Sequence, residues 1–242
     1  MSQADTSPQL FTTTHWSIVM QAGDQNSGES LRALEALCQV YWRPLFAYAR
    51  KLGHGLPQAE DLTQGFFAKL LEKNYLGIAD RRKGRFRWFL LTAFKAFLAN
   101  EHDRETALKR GGKQGTISLD AAMEEDRGAE GIDHQSPDLL YEKKWALTLL
   151  GAAREQLMKE FAAAGKQERF ESLEPHLLAS NTAEPYAILA VRFGTTEGAL
   201  AQEMRRLRKR YAELIRAEVA KTVVTVSEVD AELACLMEVL GR

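Results

Sequence analysis

Apolar positions recur along this chain at helical spacing, in blocks separated by short polar or glycine-rich breaks. The stripe Leu34, Leu37, Cys38, Tyr41, Trp42, Leu45, Phe46 and Ala49 predicts a helix from Leu31, with Pro44 set to kink it or to start a second turn of helix there. GHGLP at 53–57 breaks the pattern, and Pro57 opens a second helix with Ala59, Leu62, Phe66, Phe67, Leu70 and Leu71 on one face. RWFLLTAFKAFLANEHDRETALK (87–109) predicts a third, apolar over most of its first half and polar in its second. A shorter pattern near the N-terminus carries Trp16, Val19 and Met20 behind a run of threonine caps. Periodicity resumes at Leu139 with Tyr141, Trp145, Leu149, Leu150 and Leu157, pauses at Gly165 and returns over 167–178. The segment 226–240 is a last amphipathic helix; Val229, Leu233, Leu236, Met237 and Leu240 form a face suited to packing on a domain or to receiving a regulator. No strand alternation and no internal repeat interrupts this series, so the predicted class is all-α.

Between 116 and 138 the character changes. Asp120, Glu124, Glu125, Asp126, Glu130, Asp133 and Asp138 face only Arg127, among frequent Gly, Ser and Pro, which predicts an acidic linker. The predicted organisation is an N-terminal extension with a short helix at 1–30, a helical domain at 31–113, the linker at 114–138, a second helical domain at 139–222 and a tail helix at 223–242. A length of 242 residues with 45% hydrophobic content accommodates two such cores.

A net charge of −1 means that any nucleic-acid surface must be local and balanced by acid elsewhere. Cys38 and Cys235 have no CxxC partner and no zinc spacing, and read as free thiols of a reducing cytoplasm. The opening MSQADTSPQL has no apolar signal core, and no apolar run approaches the ~20 residues of a membrane span, so a cytoplasmic location without a membrane partner is expected. His15, His54, His102, His134 and His176 are scattered without metal-ligand spacing. With no glycine-rich phosphate loop and no nucleophile motif either, neither a metal, a cofactor nor catalysis is expected.

Two clusters carry the candidate chemistry. From 81 to 113, Arg81, Arg82, Lys83, Arg85, Arg87, Lys95, Arg104, Lys109, Arg110 and Lys113 are interleaved with Phe86, Trp88, Phe89, Phe94 and Phe97. Cations that hold phosphates beside rings that stack on unpaired bases suit single-stranded or melting DNA. The bland alternative is that the rings are core; Trp88 and Phe86, beside the basic loop, are the candidates for exposure. The second cluster lies in PYAILAVRFGTTEGALAQEMRRLRKRY (185–211): a short apolar helix, a turn at Gly194, then a longer helix ending in Arg205, Arg206, Arg208, Lys209 and Arg210. This is the pattern of a helix-turn-helix that places its second helix in the DNA major groove. Ala190 permits close helix approach, Gly194 suits a left-handed backbone angle, and Thr195 or Thr196 can cap the second helix. Leu200, Met204, Leu207, Tyr211 and Leu214 form its buried stripe, leaving Thr196, Glu197, Ala201, Gln202, Arg205 and Lys209 outward.

AEDLTQGFFAKLLEK, GRFRWFLLTAFKAFLANEHDR and the helix-turn-helix, in that order, resemble regions 2 and 4 of RNA polymerase sigma factors of the extracytoplasmic-function class. The resemblance covers roughly residues 11–222. It implies a subunit that binds core RNA polymerase, through its β′ coiled coil and β flap, and directs it to promoter DNA. Glu60, Asp61, Leu62, Gln64, Phe66 and Phe67 match the helix that docks on β′. Arg85, Phe86, Trp88, Phe89 and Lys95 match the part that opens and holds the −10 element. Thr196, Glu197, Gln202, Arg205, Arg206 and Lys209 match the helix that reads the −35 element. The class also leaves room for an anti-sigma factor or other regulator as a partner.

The chain departs from the pattern at three positions. Gly65 stands where a Glu is usual, Ala96 where an Asn is expected, and Glu203 where a small residue is usual. Glu203 would either repel DNA phosphate or be held by Arg206 or Arg210. Gly65 motivates the alternative function, a stand-alone helix-turn-helix regulator without polymerase binding, which would dimerise to read paired half-sites.

Overall fold

The computed structural model describes residues 28–72, 86–110, 136–177, 183–223 and 226–241. The expected helix with Trp16, Val19 and Met20, the basic loop up to Arg85 and the acidic linker up to residue 135 lie outside the described residues. Among those described there are eight α-helices, one 3-10 turn and no strand: α1 (Gly28–Lys51), α2 (Leu56–Glu72), α3 (Phe86–Arg110), α4 (Pro137–Ala163), α5 (Gln167–Leu177), α6 (Tyr186–Arg192), α7 (Glu197–Thr222), the turn Val226–Glu228 and α8 (Val229–Gly241). The all-α expectation holds for them. None of these helices is long and apolar enough to cross a membrane.

The chain divides into two compact units, one of residues 1–146 and 220–242, the other of residues 147–219. The divisions fall inside α4 and α7, and residues 139–146 and the tail helix lie in the first unit.

In the first unit, α1 runs unbroken through Pro44, which is buried. The chain leaves α1 through Gly53, whose φ of +96° is cheap only for glycine. The amides of Leu52 and His54 close the helix end on the carbonyls of Tyr48 and Ala49. Aromatic rings then lock α1, α2 and α3 together. Tyr41 meets Phe86 edge-on at 5.4 Å, Trp42 stacks on Phe67 at 5.8 Å, and Phe66 meets Phe94 at 5.0 Å. The first half of α3 is buried nearly all round, from Phe86 to Phe97, as its continuous apolar run requires.

The tail helix α8 packs in this unit on most of the expected face, with Leu233 and Leu240 half-buried, and adds Glu232 and Val239 to it. Val229, Glu232, Leu236 and Val239 are buried, whereas Met237 is 68% exposed. Glu232 forms an ion pair with Arg87 of α3, and both side chains are 1% exposed.

In the second unit, Ala153 and Leu157 of α4, Phe170 and Leu173 of α5, Leu189 and Ala190 of α6, and Leu200, Met204, Leu207 and Leu214 of α7 form one core. The expected buried stripe of α7 is thus observed, with Tyr211 half-buried and its hydroxyl donating to the Leu150 carbonyl at 3.0 Å.

Candidate nucleic-acid interface

The turn of the second unit follows from three local choices. Helix α6 ends at Phe193, and Gly194 takes φ +59°, the left-handed angle expected of it. The Thr195 amide then donates back to the Ala190 carbonyl at 2.9 Å. Thr196 is the cap of α7: its Oγ1 accepts the Ala199 amide at 3.2 Å. Glu197 follows in the first turn, exposed at the positive end of the helix. Ala190 is buried between the helices.

Helix α7 then presents its cations. Gln202, Arg205, Arg206 and Lys209 are all exposed, and Arg205 and Arg206 each lie three or four residues from Gln202 and from Lys209, so the four share one face. Every other arginine of the unit is engaged. Arg154 bonds Glu174; Arg192 bonds Glu184 at 2.7 Å; Arg208 donates to the His176 carbonyl at 3.1 Å. Arg210 bonds Glu160 at 2.6 Å and Glu213 at 3.1 Å, and Arg216 also has a partner. Arg205, Arg206 and Lys209 have no ion-pair partner among the described residues. The Arg210 hydrogen bond holds the Glu160 carboxyl below the usual carboxylate range.

Glu203 is paired, but with neither Arg206 nor Arg210. Arg169, in the first turns of α5, grips it with a fork: Nε lies 2.8 and 2.9 Å from the two carboxylate oxygens, and Nη2 lies 2.8 Å from Oε2. The same guanidinium lies over the Phe193 ring at 4.9 Å. This pairing corrects the helical-spacing expectation. An acceptor on the inner edge of α7 faces the neighbouring helix α5 more closely than its own.

The first unit sorts its candidates differently. On α2, Glu60, Asp61 and Gln64 are exposed, Leu62 is half-buried, and Phe66 and Phe67 are core residues at 3% exposure. The helix starts at Leu56 with no acid in its first turn, so Glu60 and Asp61 lie beyond the turn where the helix dipole favours acid. A Cβ on Gly65 would lie 3.5 Å from Phe97 Cζ, an ordinary contact, so packing does not demand glycine there. Ala96 is buried, where an Asn amide would have to find partners.

On α3, Phe86 is completely buried, contrary to its expected exposure, because its ring fills the gap beside Tyr41. Phe89 is buried as well; Trp88 keeps part of its surface open. Lys95 is half-buried and bonds Asp138 at 3.1 Å. Arg85 lies outside the described residues.

Arg87, which the sequence pattern placed with the surface cations, is the centre of a buried cluster. Besides Glu232, it has Glu142 at 3.5 Å, donates to Cys235 Sγ at 3.1 Å and lies over the Trp145 ring at 4.5 Å. The Tyr141 hydroxyl donates to its backbone carbonyl at 2.9 Å, and burial pushes that phenol well above its usual range. The one sequence signal for this cluster was Glu232 itself, a charge placed between apolar positions of the tail helix. Among the described residues no group of His, Cys, Asp and Glu could hold a metal ion. A scan against protein-family models, a search of curated proteins and a search of solved structures found no match.

Proposed function

We propose that this chain is a promoter-specificity subunit of the extracytoplasmic-function sigma class, which binds core RNA polymerase and directs it to promoter DNA without catalysing a reaction itself. The observation that carries the reading is the exposed stripe Gln202, Arg205, Arg206 and Lys209 on the helix behind a glycine turn, whose cations have no ion-pair partner among the described residues while the unit's other arginines are engaged. Unpaired cations on a projecting helix suit DNA phosphates, and the polar side chains at the helix start suit base edges. On this reading the second unit holds the −35 element, and Trp88 with the basic loop before α3 holds the melted −10 strand. The exposed Glu60, Asp61 and Gln64 meet β′.

The test is reconstitution with purified core RNA polymerase. The expected result is co-elution in gel filtration and transcription from a subset of promoters in a genomic library. A chain that binds DNA but never co-elutes with core polymerase sinks the sigma reading and leaves a DNA-binding regulator.

A further inference from the structure

We propose that Arg169 keeps the DNA-reading face of α7 cationic by sequestering the Glu203 carboxylate, so that Arg206 stays available to phosphate. The inference rests on the DNA-binding reading of α7.

Glu203 and Arg206 are three residues apart on α7, close enough to pair along the helix. Glu203 also sits between Gln202 and Arg205 in sequence, at the edge of the stripe that faces outward. Left alone, its carboxylate would cancel one of three neighbouring cations and repel an approaching phosphate. Arg169 prevents both. Its fork holds both carboxylate oxygens in two-pronged geometry, Nε on Oε1 and Nη2 on Oε2, each at 2.8 Å, and the pair is part-buried at 27% and 17% exposure. The guanidinium is itself held against Phe193, the residue that ends α6, so the grip is anchored at the turn. Arg206 is consequently exposed with no partner among the described residues.

The same geometry distinguishes this role from simple bracing. If Arg169 only braced α5 against α7, removing either partner would do equal harm, and removing both would not help. If it neutralises Glu203, removing the carboxylate makes Arg169 dispensable. If it touched DNA directly, its loss could not be repaired at position 203.

The experiment uses the full chain and an end-labelled duplex of random sequence, with binding read by anisotropy from low to moderate salt. Circular dichroism checks that each variant is folded. Arg169→Ala is expected to weaken binding about tenfold and to lower the slope of log affinity against log salt by about one, the loss of one phosphate contact. Glu203→Gln alone should bind as tightly as the unaltered chain. The double variant should recover both affinity and slope. If Arg169→Ala disturbs the fold, Arg169→Gln with Glu203→Gln repeats the comparison. A double variant as weak as Arg169→Ala overturns the proposal, as does Arg169→Ala binding unchanged. If the unaltered chain shows no salt-dependent binding, the DNA reading of α7 fails first and the proposal falls with it.

Discussion

The two units use the same chemistry, an arginine beside carboxylates, in opposite environments. In the first, Arg87 is sealed in the core with Glu142 and Glu232, over Trp145. In the second, Arg154, Arg169, Arg192 and Arg210 pair with carboxylates at the surface or in its shallow margin, with side-chain exposures from 27% to 47%. Taking charges out of water costs several kcal/mol each, so a buried cluster contributes little net stability while intact and is very costly to break. A surface pair is worth ~0–1 kcal/mol either way. The first unit therefore uses charge to specify how the tail helix seats, whereas the second uses it to decide which cations stay free.

The largest expected effect tests the buried side. Glu232→Ala should destabilise the first unit by about 3–5 kcal/mol, because it leaves Arg87 short of a counter-charge inside the core. None of the chain's four tryptophans lies in residues 147–219, and Trp42, Trp88 and Trp145 fall in the first unit, so urea unfolding followed by tryptophan fluorescence reads it selectively. Replacing Arg87, Glu142 and Glu232 together with apolar residues of similar volume should recover most of the loss. A single-variant cost below about 1 kcal/mol would erase the distinction between the units.

An intermediate effect is expected at the part-buried pair. Arg169→Ala should cost the second unit about 1 kcal/mol, more than an exposed pair because its fork is two-pronged. Native-state hydrogen exchange on α5 and α7 measures this locally.

The smallest effect belongs to Arg210 and Glu160. The Glu160 carboxyl is lowered in the folded chain, so its pairing stabilises above the unfolded carboxylate range and is lost as pH falls through the lowered value. Solvent screening limits this to a few tenths of a kcal/mol. Arg210→Gln should flatten that part of the stability–pH curve of the second unit, and raising salt should do the same without touching the Arg87 cluster.

What could be read in the sequence was local. Gly194, Thr196 and the Leu200–Met204–Leu207 stripe are determined within a few residues of where they act, so the helix-turn-helix and its outward face were legible. The all-helical class was legible too, since the 3.6-residue period is printed along each segment. Pairings between distant segments were not. Arg87 reads as one more surface cation until Glu232 is seen beside it, and no spacing rule links them. Phe86 looked exposed from its basic neighbours, yet its surroundings are set by Tyr41 on another helix. Glu203 has two helical-spacing partners on paper, and the true one comes from α5.

The Arg87 cluster also reorders the chain's assembly in time. Arg87 and Cys235 lie 148 residues apart, with Glu232 just before the cysteine. At ~5–20 residues per second of synthesis, α1, α2 and α3 are made on the order of ten seconds before their last helix exists. Residues 147–219, by contrast, are contiguous and finished in one pass. The unit encoded second is thus the first that can close. The unit encoded first lacks part of its core until α8 has been made.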